Sequence, residues 1–191
     1  MGAVSAAACG RLPALAGSTQ ITGPLAAKLW VSASTPDADL FLSVRVYDEN
    51  GDEKLFRGMP DPNIPLTQGW LRASQRELDE TRTLPYRPFL THKTVKPLWP
   101  GEVYELDIEI HPACVVLPAG YRLGLTVQGQ DFEHDAEPFE WGKTGLMMRG
   151  SSNETHDDPL FRPANIYDND GTIHSGPGRE SHLLIPIIPA S

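Results

Sequence analysis

Cysteine is scarce in this chain: only Cys9 and Cys114 are present, too few for the disulfide framework that staples small secreted domains. A single bridge between them would tie down only the N-terminal tail, so two free thiols in a reducing compartment are expected. A cytoplasmic setting is therefore favoured over a secreted one. A basic stripe is missing too. Against 25 Asp and Glu stand only 16 Lys and Arg, for a net charge of -9, so nothing would release the counterions of a nucleic acid. Nucleic acid is excluded as a partner. No apolar run approaches the roughly 20 residues of a membrane helix, and no membrane partner is expected. Segments with a sustained helical period are absent, and so are internal repeats.

What is present is turn chemistry. Eighteen prolines and 17 glycines in 191 residues point to many short elements, which favours β over α. The length suits one domain with a real core. The opening "MGAVSAAACGRLPALAGST" is rich in alanine but has no basic start, and Gly10, Arg11 and Pro13 interrupt its apolar stretch. It is expected to be a disordered leader over residues 1–19, with one β domain over 20–191.

Alternation defines the strands. Leu25, Ala27, Leu29 and Val31 fall on one face of a strand punctuated by Pro24 and Pro36. Leu40, Leu42, Val44 and Val46 do the same and lead into Asn50-Gly51, the strongest short hairpin signal; Leu55 and Phe56 are expected on the return strand. In "EVYELDIEI" Tyr104, Leu106, Ile108 and Ile110 oppose Val103, Glu105, Asp107 and Glu109. "GWLRASQRELDETR" is ambiguous, because its Leu, Arg, Glu and Gln favour helix among β neighbours. From Asp131 to Asp170 neither period holds, and a long irregular connection is expected there. An antiparallel β-sandwich accounts for the whole pattern.

The candidate chemistry is thin. No Gly-x-Ser-x-Gly nucleophile elbow occurs, and the nearest stretch, "GSSNE" at Gly150–Glu154, lacks the second glycine. "SSNETHDD" gathers Ser, His and Asp within a few residues, yet triads are assembled from separated segments, so it reads as a polar loop. Asn153-Glu154-Thr155 fits a glycosylation acceptor only in a secreted eukaryotic chain. "DFEHDAE" and "DNDG" offer oxygens of the kind calcium accepts, but with Asp168 as loop position 1, position 12 is Arg179 rather than a glutamate. Both read as acidic loops. No Cys/His spacing suits zinc. Catalytic residues, metal ligands and cofactor-binding residues are all expected to be absent.

Four stretches together carry a resemblance: "ITGPLAAKLWVSASTPDADLFLSVRVYDENG", "GWLRASQRELD", "WPGEVYELDIEIHPACVVLPAGYRLGLTVQGQD" and "GTIHSGPGRESHLLIPIIP". In this order and spacing, from about Gln20 to Pro189, the chain resembles the C-terminal domain of the X-Pro dipeptidyl-peptidase and cocaine-esterase family of serine hydrolases. The resemblance implies an all-β fold, an antiparallel jelly-roll sandwich of the galactose-binding-like type. It also implies that "GWLRASQRELD" is a strand followed by an extended excursion, against its propensity. In that family the chemistry belongs to a separate α/β-hydrolase domain preceding the sandwich. The expected partner is therefore a catalytic α/β-hydrolase domain, in the same chain or supplied in trans, with homo-oligomer contacts as a further role.

Within "GTIHSGPGRESHLLIPIIP", Gly176-Pro177-Gly178 is expected to turn a last hairpin, flanked by His174 and His182 and closed by a strand from Ser181 to Ile188. Pro186 cannot donate a ladder bond and predicts an edge position or a bulge. The candidate interface or ligand contacts are Trp70, Trp141, His174 and His182. A stand-alone ligand-binding module, with sugars stacked on Trp30, Trp70, Trp99 or Trp141, is the alternative reading.

Overall fold

The structure is a computed structural model and describes residues 8–57, 63–132 and 156–189. Its strands are β1 (Ala8–Arg11), β2 (Thr19–Ala33), β3 (Asp39–Tyr47), β4 (Glu53–Lys54), β5 (Thr67–Arg72), β6 (Tyr104–Leu117), β7 (Arg122–Gln128), β8 (Gly171–His174), β9 (His182–Leu184) and β10 (Ile187–Ile188), with one short helix, α1 (Ala164–Tyr167). All pairings are antiparallel, in the order β1-β7-β3-β5-β6-β2-β10, with β4 on β3 and with β8 and β9 on β2. One register pair, Gly69 with Ile110, joins β5 to β6. There the sheet curls over, and the two halves face each other as a β-sandwich, as the alternation and the resemblance led us to expect.

The apolar faces named from period two meet in one core. Leu25, Leu29, Val31, Leu42, Val44, Val46, Leu106, Ile108 and Ile110 are all buried in it. The curl needs a glycine, because a Cβ at Gly69 would lie 2.3 Å from the Glu109 carbonyl oxygen. "GWLRASQRELD" is β5 followed by a single 3₁₀ turn, Ala73–Gln75, and then extended chain. Its strand half is fixed by pairing with β3 from Asp39↔Arg72 to Val44↔Thr67, so tertiary pairing overrides helix propensity.

Three expectations need correction. The segment 8–19, expected within a disordered leader, carries structure: β1 pairs with β7 from Ala8↔Val127 to Arg11↔Gly124, and Leu12 and Leu15 donate backbone bonds to Leu123 and Tyr121. Backbone pairing does not depend on side-chain complexity, which is why the composition hid it. The return strand after Asn50-Gly51 is only Glu53–Lys54, and Phe56 instead bridges to Ile64.

The expected last hairpin is the third. β8, β9 and β10 all pair antiparallel with β2, in descending register along it. They therefore run in one direction, and 175–181 is an excursion from a single interrupted edge strand. Its tip is closed by reciprocal backbone bonds between Gly176 and Arg179. Ser181 mends the gap, accepting from the Trp30 N–H at 3.0 Å and donating to the His174 carbonyl at 2.7 Å. The second interruption falls at Pro186, opposite a β-bulge between Gly23 and Leu25. Pro24 does not end the strand but sits in this bulge, at the level of Pro112 on β6, so the prolines lie where the ladder is already broken.

Candidate functional site

The register places the ends of β2, β5 and β7 and the starts of β3, β6 and β8 at one end of the sandwich. Three connections leave from this end: 34–38, 73–103 and 129–170. The first supplies Asp37, which accepts from Ser74 N–H (2.8 Å), Ser74 Oγ (2.6 Å) and Tyr167 Oη (3.0 Å). One carboxylate thus ties the other two connections together. Burial, then the Asp37 charge, pushes the Tyr167 hydroxyl well above its ordinary value, so it stays a donor.

Asp39, the first residue of β3, binds two arginines. Arg72 meets it through Nε at 2.9 Å and Nη2 at 3.0 Å, and Arg162 approaches through Nε at 2.8 Å. Hydrogen bonding to Asp39 raises Arg72 above the usual guanidinium value. Arg162 also donates to the carbonyls of Gly129 (2.6 Å) and His156. Asp131 completes the set: its carboxylate accepts the His156 N–H at 2.6 Å and lies 3.0 Å from Nδ1. Both ends of the segment leading into α1 are held against the sheet in this way.

A cleft of about 400 Å³ opens beside this network. Its floor is Phe41 of β3 and Trp70 of β5, directly paired across the strands. His156 leans over both rings, with centroids 5.5 Å from Phe41 and 6.0 Å from Trp70, while His111 stands edge-on to Trp70 at 5.1 Å. Phe161, 70% exposed, and Asp158 form the outer lip. Leu160 and Trp99, 85% and 74% exposed, are carried on the connections of the same end.

The three candidate residues among those described do not converge. Trp70 lines the cleft, as above. His174 has its Nε2 2.8 Å from Ser32 Oγ, and its carbonyl accepts from Ser181 Oγ. His182 borders a different hollow of about 500 Å³, between β2, β9 and the tip of the 73–103 connection, beside Leu84, Pro85 and Lys28. Trp141 lies outside the described residues, as do Ser152 and Asn153. Of the calcium candidates, Asp131 is engaged by His156, while Asn169 donates to the carbonyls of Asp37 and Ile166. Among the described residues no three His, Cys, Asp or Glu side chains converge as metal ligands. No helix among them is long and apolar enough to cross a membrane.

Phe41, Asp131, His156 and Arg162 were not singled out as contacts. His156 belongs to a stretch read as a polar loop, and its partner Asp131 is 25 residues away. The outward position of Phe41 in an alternating strand was the only local signal.

Compared with known proteins, residues 11–184 match the model of the X-Pro dipeptidyl-peptidase C-terminal non-catalytic domain. The cocaine esterase of a Rhodococcus species is 26% identical over 181 residues, which are 94% of this chain and 25% of that protein. A serine esterase of Mycobacterium bovis is 25% identical over 122 residues, 61% of this chain and 18% of the relative. The chain thus spans a quarter or less of the curated relatives it matches. Among solved structures, a CocE/NonD family hydrolase of Staphylococcus aureus superimposes with a TM-score of 0.75 at 26% identity, over 97% of this chain and 33% of that one. An α-amino acid ester hydrolase shares the fold, with a TM-score of 0.60 at 17% identity over 95% of this chain and 25% of that one.

Proposed function

Because the chain belongs to the family of X-Pro dipeptidyl-peptidase C-terminal non-catalytic domains, we propose that it is the accessory β-sandwich of a serine hydrolase and packs on a catalytic α/β-hydrolase domain. The activity of the assembly is then dipeptidyl-peptidase or ester and amide hydrolysis, performed entirely by the partner domain. One observation carries this reading: the non-catalytic domain model covers nearly the whole chain, and no nucleophile elbow occurs in its sequence. The exposed Trp99, Leu160 and Phe161 at one end of the sandwich suit a surface that another domain covers. The free, exposed Cys114 is in keeping with a reducing compartment, which supports a cytoplasmic setting. The partner domain is supplied in the same chain or in trans, and subunit contacts are a further role of the same surface.

The test is the intact mass of the native protein in its source cells, detected with an antibody to this domain. A species several times larger than 20.9 kDa, or one of that mass co-purifying with a polypeptide that bears a Gly-x-Ser-x-Gly elbow, is expected. A lone 20.9 kDa species without such a partner overturns the proposal. The purified chain should also leave X-Pro anilides and activated acyl esters intact. Turnover abolished by Ser175→Ala or Ser152→Ala would show that the chain is itself the enzyme.

A further inference from the structure

The β3–β4 turn holds a reactive pair that the accessory role leaves unused. Asn50-Gly51 is the single Asn-Gly step in the sequence; Asn63, Asn153, Asn165 and Asn169 precede Ile64, Glu154, Ile166 and Asp170. We propose that Asn50 is a covalent modification site, converted to aspartate and isoaspartate by deamidation, and that Asp48 is the latch that sets its rate.

The chemistry needs only water and hydroxide. Hydroxide takes the proton of the Gly51 amide, the nitrogen attacks Asn50 Cγ, and the Cγ–Nδ2 bond breaks as the leaving nitrogen takes a proton from water and departs as ammonia. Water then opens the resulting succinimide at either carbonyl. Both partners are accessible. Asn50 is exposed, and its side-chain amide makes no hydrogen bond among the described residues. Gly51 sits at φ 90°, and a Cβ there would meet nothing nearer than Arg11 Nη1 at 3.9 Å, so the space beside it is open.

Asp48 restrains the step. Its carbonyl accepts the Gly51 N–H at 3.0 Å, and its Oδ1 accepts the Asn50 and Asp52 N–H groups at 2.9 and 3.0 Å. Its own N–H donates to the Asp52 carbonyl at 2.9 Å. Three successive amides, with the nucleophile in the middle, thus end on one residue. While those bonds last, the Gly51 nitrogen keeps its proton and the Asn50 backbone cannot rotate to bring Cγ against it. Reaction therefore proceeds from the fraction of molecules in which the turn has opened, and its rate follows that opening.

Charge is the smaller influence. The carboxylates of Asp48, Glu49, Asp52 and Glu53 oppose an anionic nitrogen at Gly51, while Arg11 on its flank favours one. Lys54 and Arg45 are paired with Asp48 and Glu53. Salt screens charges at an exposed turn, which leaves the hydrogen bonds in control.

The product matters for the fold. Aspartate adds a fifth carboxylate to the run from Asp48 to Glu53. Isoaspartate inserts a methylene into the backbone that sets the register of Val46↔Lys54 and Tyr47↔Glu53.

The test incubates the full 191-residue chain at mildly alkaline pH, folded and in guanidinium chloride, and follows the one-dalton gain of each asparagine peptide by mass spectrometry. Asn50 is expected to convert ahead of every other asparagine in the folded chain, at least tenfold more slowly than in denaturant. Asp48→Ala should raise the folded rate at least fivefold, with amide exchange of the β3–β7 ladder showing that the variant is folded. Lys54→Ala, which leaves the turn bonds in place, should change it less than twofold. Should Asp48→Ala fail to fold, the ratio of folded to denatured wild-type rates and the order among the asparagines decide alone. Equal rates in the folded and denatured chain, another asparagine converting first in the folded chain, or an Asp48→Ala rate no higher than that of the wild type each overturns the proposal. None of these outcomes depends on whether the chain docks on a hydrolase.

Discussion

The two ends of the sandwich are built by different means. At one end the turns at 48–52 and 118–121 are short and closed within a few residues, by backbone bonds together with the Asp48 carboxylate, which accepts from the Asn50 and Asp52 N–H groups. Asp48 accepts from Gly51 and donates to Asp52, Gly120 donates to Leu15, and Tyr121 donates to Pro118. At the other end the connections are long and closed by side chains, with Asp37, Asp39 and Asp131 each gathering groups from segments far apart in sequence. The first device fixes geometry within a few residues. The second depends on the fold already being in place, and it leaves a cleft and exposed aromatics where the segments do not quite meet. The cleft and the exposed Trp99, Leu160 and Phe161 lie at this end, while the exposed Val116, Ile187 and Ile188 lie towards the other.

The largest effect should come from breaking the side-chain device. Arg162, 13% exposed, faces Asp39, 8% exposed, and Arg162→Ala takes away one of its two cations while freeing the carbonyls of Gly129 and His156. A loss of about 3 kcal/mol is expected, the low end for a broken buried pair because Arg72 remains on Asp39. Denaturant unfolding measures it, and hydrogen exchange should locate the change in 156–170 while the β3–β7 ladder keeps its protection. A loss well below 1 kcal/mol with unchanged exchange would mean that the network decorates this end rather than holding it.

The short-turn end offers a smaller target. Gly51 sits at φ 90°, and a Cβ there would meet only Arg11 Nη1 at 3.9 Å, so Gly51→Ala brings conformational strain without a clash. Roughly 1–2 kcal/mol is expected, confined to the β3–β4 turn. If the chemical shifts of Phe41 and His156 also move, the two ends are coupled and the contrast between them fails.

The same contrast explains what could be read from the sequence. Asn50-Gly51 and the period-two faces of Leu25–Val31, Leu40–Val46 and Tyr104–Ile110 are local signals, and they located the core and the hairpin. The alternation and turn spacing supplied the sandwich, and the resemblance supplied the strand in "GWLRASQRELD". Pairings such as Asp131 with His156, or Asp39 with Arg162, carry no local signature, because a lone Asp, His or Arg in a polar connection looks like solvated surface. Trp70 was legible as a candidate by its type. Phe41 was not, because an outward position in an alternating strand is expected to face solvent, and here His156 and Arg162 of the returning segment lie against its ring. The 8–11 strand and the excursion at 175–181 were missed for a related reason: both are backbone pairings whose partner lies elsewhere in the chain.

The smallest expected effect is electrostatic. Asp48 is held below its ordinary value of 3.8, first by the hydrogen bond from Lys54 and then by the N–H groups of Asp52 and Asn50; Lys54 is raised above 10.5 in return by Asp48. A carboxyl group with a lowered folded value contributes stability that is complete above its unfolded value and is lost as pH falls through the folded one. The raised lysine contributes fully below 10.5 and loses its share as pH rises through its folded value. The turn is therefore held across the neutral range and gives way only in acid below 3.8 or in strong base. Following the Asn50 and Asp52 amide shifts down in pH should give one shared midpoint below 3.8, abolished in Asp48→Asn. A midpoint at the ordinary carboxylate value would mean that Lys54 and the turn amides contribute nothing to holding Asp48 ionised, and that backbone closure alone makes this end.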